Sequence, residues 1–118
     1  AWDNKYKPNQ DWNHAWGAAP ANIIPRKLMG IEPLEPGFRK IRIKPQPATL
    51  EFAEIKHPTL RGDIWVSFTN VPNQSFRLEM NIPANTTADV YLPFYSSDQS
   101  IQKNNHSTKY RREGNFVE

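Results

Sequence analysis

From residue 38 onward, hydrophobic and polar positions alternate in short runs, and turn residues punctuate them. Ile64, Val66 and Phe68 share one face of their run; Phe76, Leu78, Met80 and Ile82 share one face of the next. Period two predicts half-buried strands. A proline- or glycine-bearing turn follows almost every run, as expected when proline cannot donate to a β-ladder and is pushed to strand ends. Phe38–Lys44 sets Ile41 and Ile43 against basic neighbours until Pro45-Gln46-Pro47 stops it. Over 50–57 the phase of Leu50, Phe52 and Ile55 slips, which predicts a bulge. His57–Asp63 reads as a connecting loop, 70–75 as a long hairpin turn, and Pro83–Thr87 as a corner leading into 88–92. Residues 96–107 read as loop, and a last pair near Thr108–Arg111 and Asn115–Val117 meets across Glu113-Gly114. The expected fold is all-β: an antiparallel two-sheet β-sandwich of about seven strands.

The first thirty residues follow another rule. Asp11–Gly17 is a compact aromatic–polar cluster, and a helix is predicted over about 20–29. Pro20 suits its first turn, Ile23, Ile24, Lys27 and Leu28 recur at helical spacing, and Gly30 is placed to cap the end. Pro25 removes the bond to the carbonyl of Ala21, so a kink or two short turns are expected. Glu32–Gly37 is a Pro/Glu/Gly stretch. The division read from this is a helical segment over 1–30, a linker over 31–37 and a β domain over 38–118. With no start methionine and a polar, Trp-bearing opening, the chain reads as a piece cut from something larger.

Composition narrows the field. The 118 residues carry 15 basic and 12 acidic side chains, for a net charge of +3. The only dense basic cluster is Lys109–Arg112, which is short of the stripe that nucleic-acid recognition uses and reads as a solvated strand edge. There is no cysteine, so disulfides and thiol chemistry are excluded. No window of about 18 apolar residues predicts a membrane span. His57 and His106 lack spaced partners, and neither a metal nor another cofactor is expected. Three triplets, at Asn73, Asn85 and Asn105, match the glycosylation pattern, a signal too common to carry weight.

Several segments in fixed order resemble the C-terminal portion of bacterial α-L-rhamnosidases, glycoside hydrolases built on an (α/α)6 barrel. They are His14-Ala15-Trp16-Gly17, Gly30-Ile31-Glu32-Pro33, Glu35-Pro36-Gly37-Phe38, Ile43-Lys44-Pro45, and Ile82 through Pro93. The likeness covers about residues 11–93. It implies that 1–30 is the last loop and helix of the catalytic barrel and that 38–118 is the β-sandwich behind it. It also implies that His14 contacts rhamnose in the intact enzyme, with Trp12 and Trp16 at the rim. The parent is then expected to hydrolyse terminal α-L-rhamnosyl linkages with inversion, in the periplasm or outside the cell. Its general acid and base would lie on earlier barrel helices, leaving this piece an accessory, non-catalytic domain. The implied partners are the barrel of the same polypeptide and, through it, a rhamnose-containing glycan.

A second reading remains open. Trp65 and Tyr91 are out of phase with their apolar neighbours and belong on outer faces. There they either cover the sheet or grip glycan as a carbohydrate-binding module does, by stacking sugar on indole. Asp11, Glu32 and Glu35 are the carboxylates nearest the helix, but Glu32 and Glu35 flank prolines in the linker. An exposed linker gives no reason for the raised pKa of a general acid.

Overall fold

The computed structural model describes residues 15–96, 100–104, 106, 107, 109 and 111–118. It is an all-β sandwich preceded by a short helical segment. One layer orders β1 (Ile31–Pro33), β2 (Lys40–Ile43) and β6 (Thr87–Val90) as β1-β2-β6. The facing layer is the meander β3 (Phe52–Thr59), β4 (Gly62–Val71) and β5 (Ser75–Asn81). Beyond β6, β7 (Leu92–Pro93) joins β11 (Phe116–Val117) and β10 (Arg112–Glu113), while β8 (Gln102–Lys103) and β9 (His106–Ser107) form a separate ladder.

The core lies between the first two layers. Ile31, Ile41 and Ile43 from one meet Ile64, Val66 and Phe68 from the other, with Met29 closing the helix side. Phe68 stacks obliquely on Phe76 at 5.4 Å between ring centroids. The alternation that predicted the strands is thus the alternation that fills the core. Most pairings are antiparallel, but β2 and β6 run parallel, with Ile41 beside Ala88 and Ile43 beside Val90. Parallel neighbours need a long crossover, and here the whole β3–β5 meander supplies it.

Four local expectations change. The 31–37 stretch read as a linker contributes β1, which pairs with β2 from Ile31↔Ile43 to Pro33↔Ile41 and buries Ile31. The bulge expected in 50–57 is absent: β3 pairs continuously with β4 from Phe52↔Thr69 to Thr59↔Gly62. The phase slip arises because Ala53, not Phe52, takes the inward position, which turns Phe52 outward. The predicted His57–Asp63 loop shrinks to the two residues Leu60 and Arg61. Part of the 96–107 loop forms β8 and β9.

The helical segment breaks where Pro25 requires. A 3-10 turn over Ala15–Ala18 leads into α1 (Ala19–Ile23), and Ile24–Leu28 then winds wider. The Met29 N–H donates to the carbonyl of Ile24, five residues back, at 3.0 Å. Such widening is one response to a proline inside a helix, whose ring crowds the preceding turn. Gly30 ends it with φ +71, and a Cβ there would lie 2.0 Å from the Lys44 carbonyl oxygen. Only glycine accommodates both demands. Lys44 N–H donates to the Gly30 carbonyl at 3.1 Å and Gln46 N–H to that of Leu28 at 2.9 Å, fastening the helix end to the sandwich.

Candidate functional site

A cleft of about 460 Å³ opens between the helical segment and the sandwich. Asn22, Pro25 and Arg26 form one wall; Glu32, Phe38 and His57 belong to the other. β1 brings Glu32 there, the turn Pro36–Phe38 brings Phe38, and β3 brings His57, whose ring lies 5.8 Å from that of Phe38. Sequence reasoning placed His57 in a loop and missed this pairing.

Glu32 is the electrostatic centre of the cleft. The linker reading made it a solvated side chain, but its side chain is only 15% exposed. It faces Arg26 at 3.5 Å and Lys27 at 3.3 Å, and it is bonded to Arg42. Burial pushes its carboxyl upward, but hydrogen bonds from Lys27 and Arg42 and their charges outweigh this and hold it below the ordinary value. An ionised, triply paired carboxylate is the reverse of a general acid, which must keep its proton near neutral pH. Glu32 is therefore not arranged as a general acid. Glu35 is tied to Arg39 at 2.5 Å.

The other candidates are scattered. Asp11, Trp12 and His14 lie outside the described residues, as does the side chain of Trp16, whose backbone is in the opening turn. Trp65 and Tyr91 are not brought together. Trp65 is half-buried on the outer face of the β3-β4-β5 layer, opposite Lys56 and Asn81. Tyr91 continues β6 in the other layer, where its N–H donates to the Ile43 carbonyl at 2.8 Å. No single face carries both. Lys44 Nζ stands 4.9 Å from the Tyr91 ring centroid and 4.4 Å from that of Phe116, and Arg112 lies 4.2 Å from the Phe94 ring. Burial, the charges of Glu113 and Glu118 and a hydrogen bond with Glu113 push the Tyr91 phenol upward. These contacts fasten the terminal hairpin to the body.

A second polar feature that sequence reasoning passed over is Asn70. It continues the inward series Ile64, Val66, Phe68 and is fully buried. Its amide donates to the Leu50 carbonyl at 2.9 Å, and Tyr95 donates to its Oδ1 at 2.7 Å. Burial pushes the Tyr95 phenol upward. A polar residue in an apolar register was the signal that could have found it. Among the described residues no three His, Asp or Glu side chains gather as around a metal ion, and no helix is long and apolar enough to cross a membrane.

This arrangement is a two-layer β-sandwich with a helical lead-in. The family described as "Bacterial alpha-L-rhamnosidase C-terminal domain" matches residues 30–107, and the chain belongs to that family. It is 32% identical over 106 residues to an alpha-L-rhamnosidase of Formosa agariphila, covering 89% of this chain and 11% of the relative. It is also 38% identical over 71 residues to one from Alteromonas sp. (strain LOR), covering 59% of this chain and 8% of the relative. The chain therefore spans about a tenth of the length of these curated relatives.

Two solved structures share the fold. The alpha-L-rhamnosidase from Dictyoglumus thermophilum matches with TM-score 0.79 and 18% identity, over 91% of this chain and 13% of that one. The Streptomyces avermitilis alpha-L-rhamnosidase complexed with L-rhamnose matches with TM-score 0.74 and 24% identity, over 98% and 12%.

Proposed function

We propose that this chain is the accessory C-terminal domain of an α-L-rhamnosidase-like glycoside hydrolase, with residues 1–30 the last loop and helix of its (α/α)6 barrel. The observation that carries the reading is the helical segment itself. Leu28, Pro25 and Met29 turn toward the sandwich, but Ile23 and Ile24 remain 53% and 44% exposed. A helix with apolar residues on two sides is built to lie between two bodies, and the sandwich is only one of them.

In this account the parent hydrolyses terminal α-L-rhamnosyl linkages with inversion. A general acid and a general base would stand about 6.5–9.5 Å apart, with a water between them, and both would come from the barrel. His14 would hydrogen-bond the sugar, with Trp12 and Trp16 at the rim. The sandwich holds the end of the helix through the Gly30–Lys44 clamp. The test is hydrolysis of a nitrophenyl α-L-rhamnoside. The purified chain is expected to show none, and the intact enzyme is expected to turn over and to lose activity with His14→Ala. Turnover by the chain alone overturns the division of labour.

One observation favours the module reading in altered form. Phe52 is 59% exposed and shares the outer face of the β3-β4-β5 layer with Trp65, so a glycan platform there would use Phe52 in place of Tyr91. Binding to rhamnose-containing glycans that Trp65→Ala abolishes would support it; no binding by the wild-type chain removes it.

A further inference from the structure

The exposed large apolar side chains fall at opposite ends of the sandwich. Leu50, Phe52 and Val71 lie where β3 begins and β4 ends, whereas Leu60 lies at the other end of those strands. Leu34 follows β1, and Ile23 and Ile24 belong to the helical segment whose Asn22, Pro25 and Arg26 share the cleft with Phe38 and His57. Leu60 stands out at 93% exposure, on the tip of the β3–β4 hairpin.

Turn chemistry does not ask for a leucine there. Two-residue hairpin loops favour Asn, Asp and Gly, which tolerate left-handed backbone. Here the left-handed position is Gly62, at φ +122, and Leu60 has an ordinary φ that any polar residue could adopt. The tip is also pinned. Thr59 Oγ1 accepts from Arg61 N–H at 3.1 Å and donates to the Gly62 carbonyl at 2.7 Å. The Arg61 guanidinium donates to the Gly37 carbonyl at 2.9 Å and to that of Asn85 at 3.3 Å, joining three loops. A rigidly presented apolar side chain loses little freedom when it docks, which is how preorganisation strengthens binding.

We infer that this hairpin tip is a second docking element, in which Leu60, supported by Leu34, inserts into an apolar pocket on the preceding body of the same polypeptide. The inference rests on the reading above. The occupant follows from the length of the relatives, of which this chain spans 8% and 11%, and from the uncovered isoleucines of the helical segment, whose cleft reaches Phe38 and His57 on the side of the tip. Charge adds the chemistry of the rim. Near the tip Arg39 is paired with Glu35 and Lys56 with Asp63, while the Arg61 guanidinium beside Leu60 bonds two carbonyls, so a carboxylate is expected on the rim of the receiving pocket.

The test is hydroxyl-radical footprinting of the chain by itself and of the intact polypeptide, read at Leu60, Leu34, Ile23 and Ile24, with Leu50, Phe52 and Val71 as controls. The expected result is loss of labelling at Leu60 and Leu34 in the intact polypeptide while the controls stay labelled. In addition, Leu60→Asp is expected to leave the melting of the chain unchanged but to split the melting of the intact polypeptide into two transitions. Persistent labelling of Leu60 overturns the inference, as does equal loss at both ends or a silent Leu60→Asp in both contexts. If Ile23 and Ile24 are protected and Leu60 is not, the inference fails and the accessory-domain reading survives. If none of the four is protected, both fail.

Discussion

The sandwich and the helical segment that leads into it solve the burial problem differently. In the sandwich, isoleucines of one layer pack with Ile64, Val66 and Phe68 of the other, and even the polar intruder Asn70 is bonded on its amide nitrogen and oxygen. In the helical segment, only the side nearest the sheet is covered, and Ile23 and Ile24 face outward. The difference teaches that the core between the two layers is filled by residues of this chain, while the helical segment leaves apolar side chains uncovered. Two backbone bonds, from Lys44 to Gly30 and from Gln46 to Leu28, tie the end of that segment to the sandwich.

Substitutions can break or sharpen that contrast. The largest effect is expected at the junction. Gly30→Ala combines a left-handed backbone with a clash against Lys44, and we expect a loss of about 3 kcal/mol in urea unfolding. A near-neutral result would mean the clamp is loose. Within the sandwich, Asn70→Ala removes the bonds to the Leu50 carbonyl and from the Tyr95 hydroxyl and is expected to cost about 1–3 kcal/mol, with Tyr95→Phe nearer 1 kcal/mol, measured the same way.

The smallest effect concerns pH. Glu32 has its carboxyl held below the ordinary value of 4.5. Its contribution to stability is therefore complete above that value and is lost as pH falls through its lowered folded-state value. Wild type and Glu32→Gln should differ in denaturation midpoint at neutral pH and converge in acid. A gap independent of pH would show that the carboxylate's charge is not what matters.

How much of this was legible in the sequence depends on the range of the interaction. Strands with clean alternation, such as Ile64–Phe68 and Phe76–Ile82, were readable because one face is core and the other is solvent. The kink at Pro25 and the cap at Gly30 were readable from local backbone chemistry. The β1 strand was hidden because Ile31 is its one buried residue and Pro33 looks like a linker; its pairing with β2 is tertiary. The continuous β3 was misread because Phe52 points outward against its hydrophobicity. The parallel β2–β6 pair and the Glu32 ion cluster join segments distant in sequence or held by the fold, and no period reports them. The separation of Trp65 from Tyr91 needed the layer assignment, which alternation alone does not supply.

The most direct test of the central claim is thermal unfolding of the Ile23→Glu, Ile24→Glu double variant in two contexts. In the chain by itself the change is expected to stay within about 0.5 kcal/mol, as for solvent-facing positions. In the intact polypeptide it is expected to lower the midpoint clearly, because two charges would be forced into a buried interface. An equally small effect in both contexts, or a large one in the chain alone, contradicts the account.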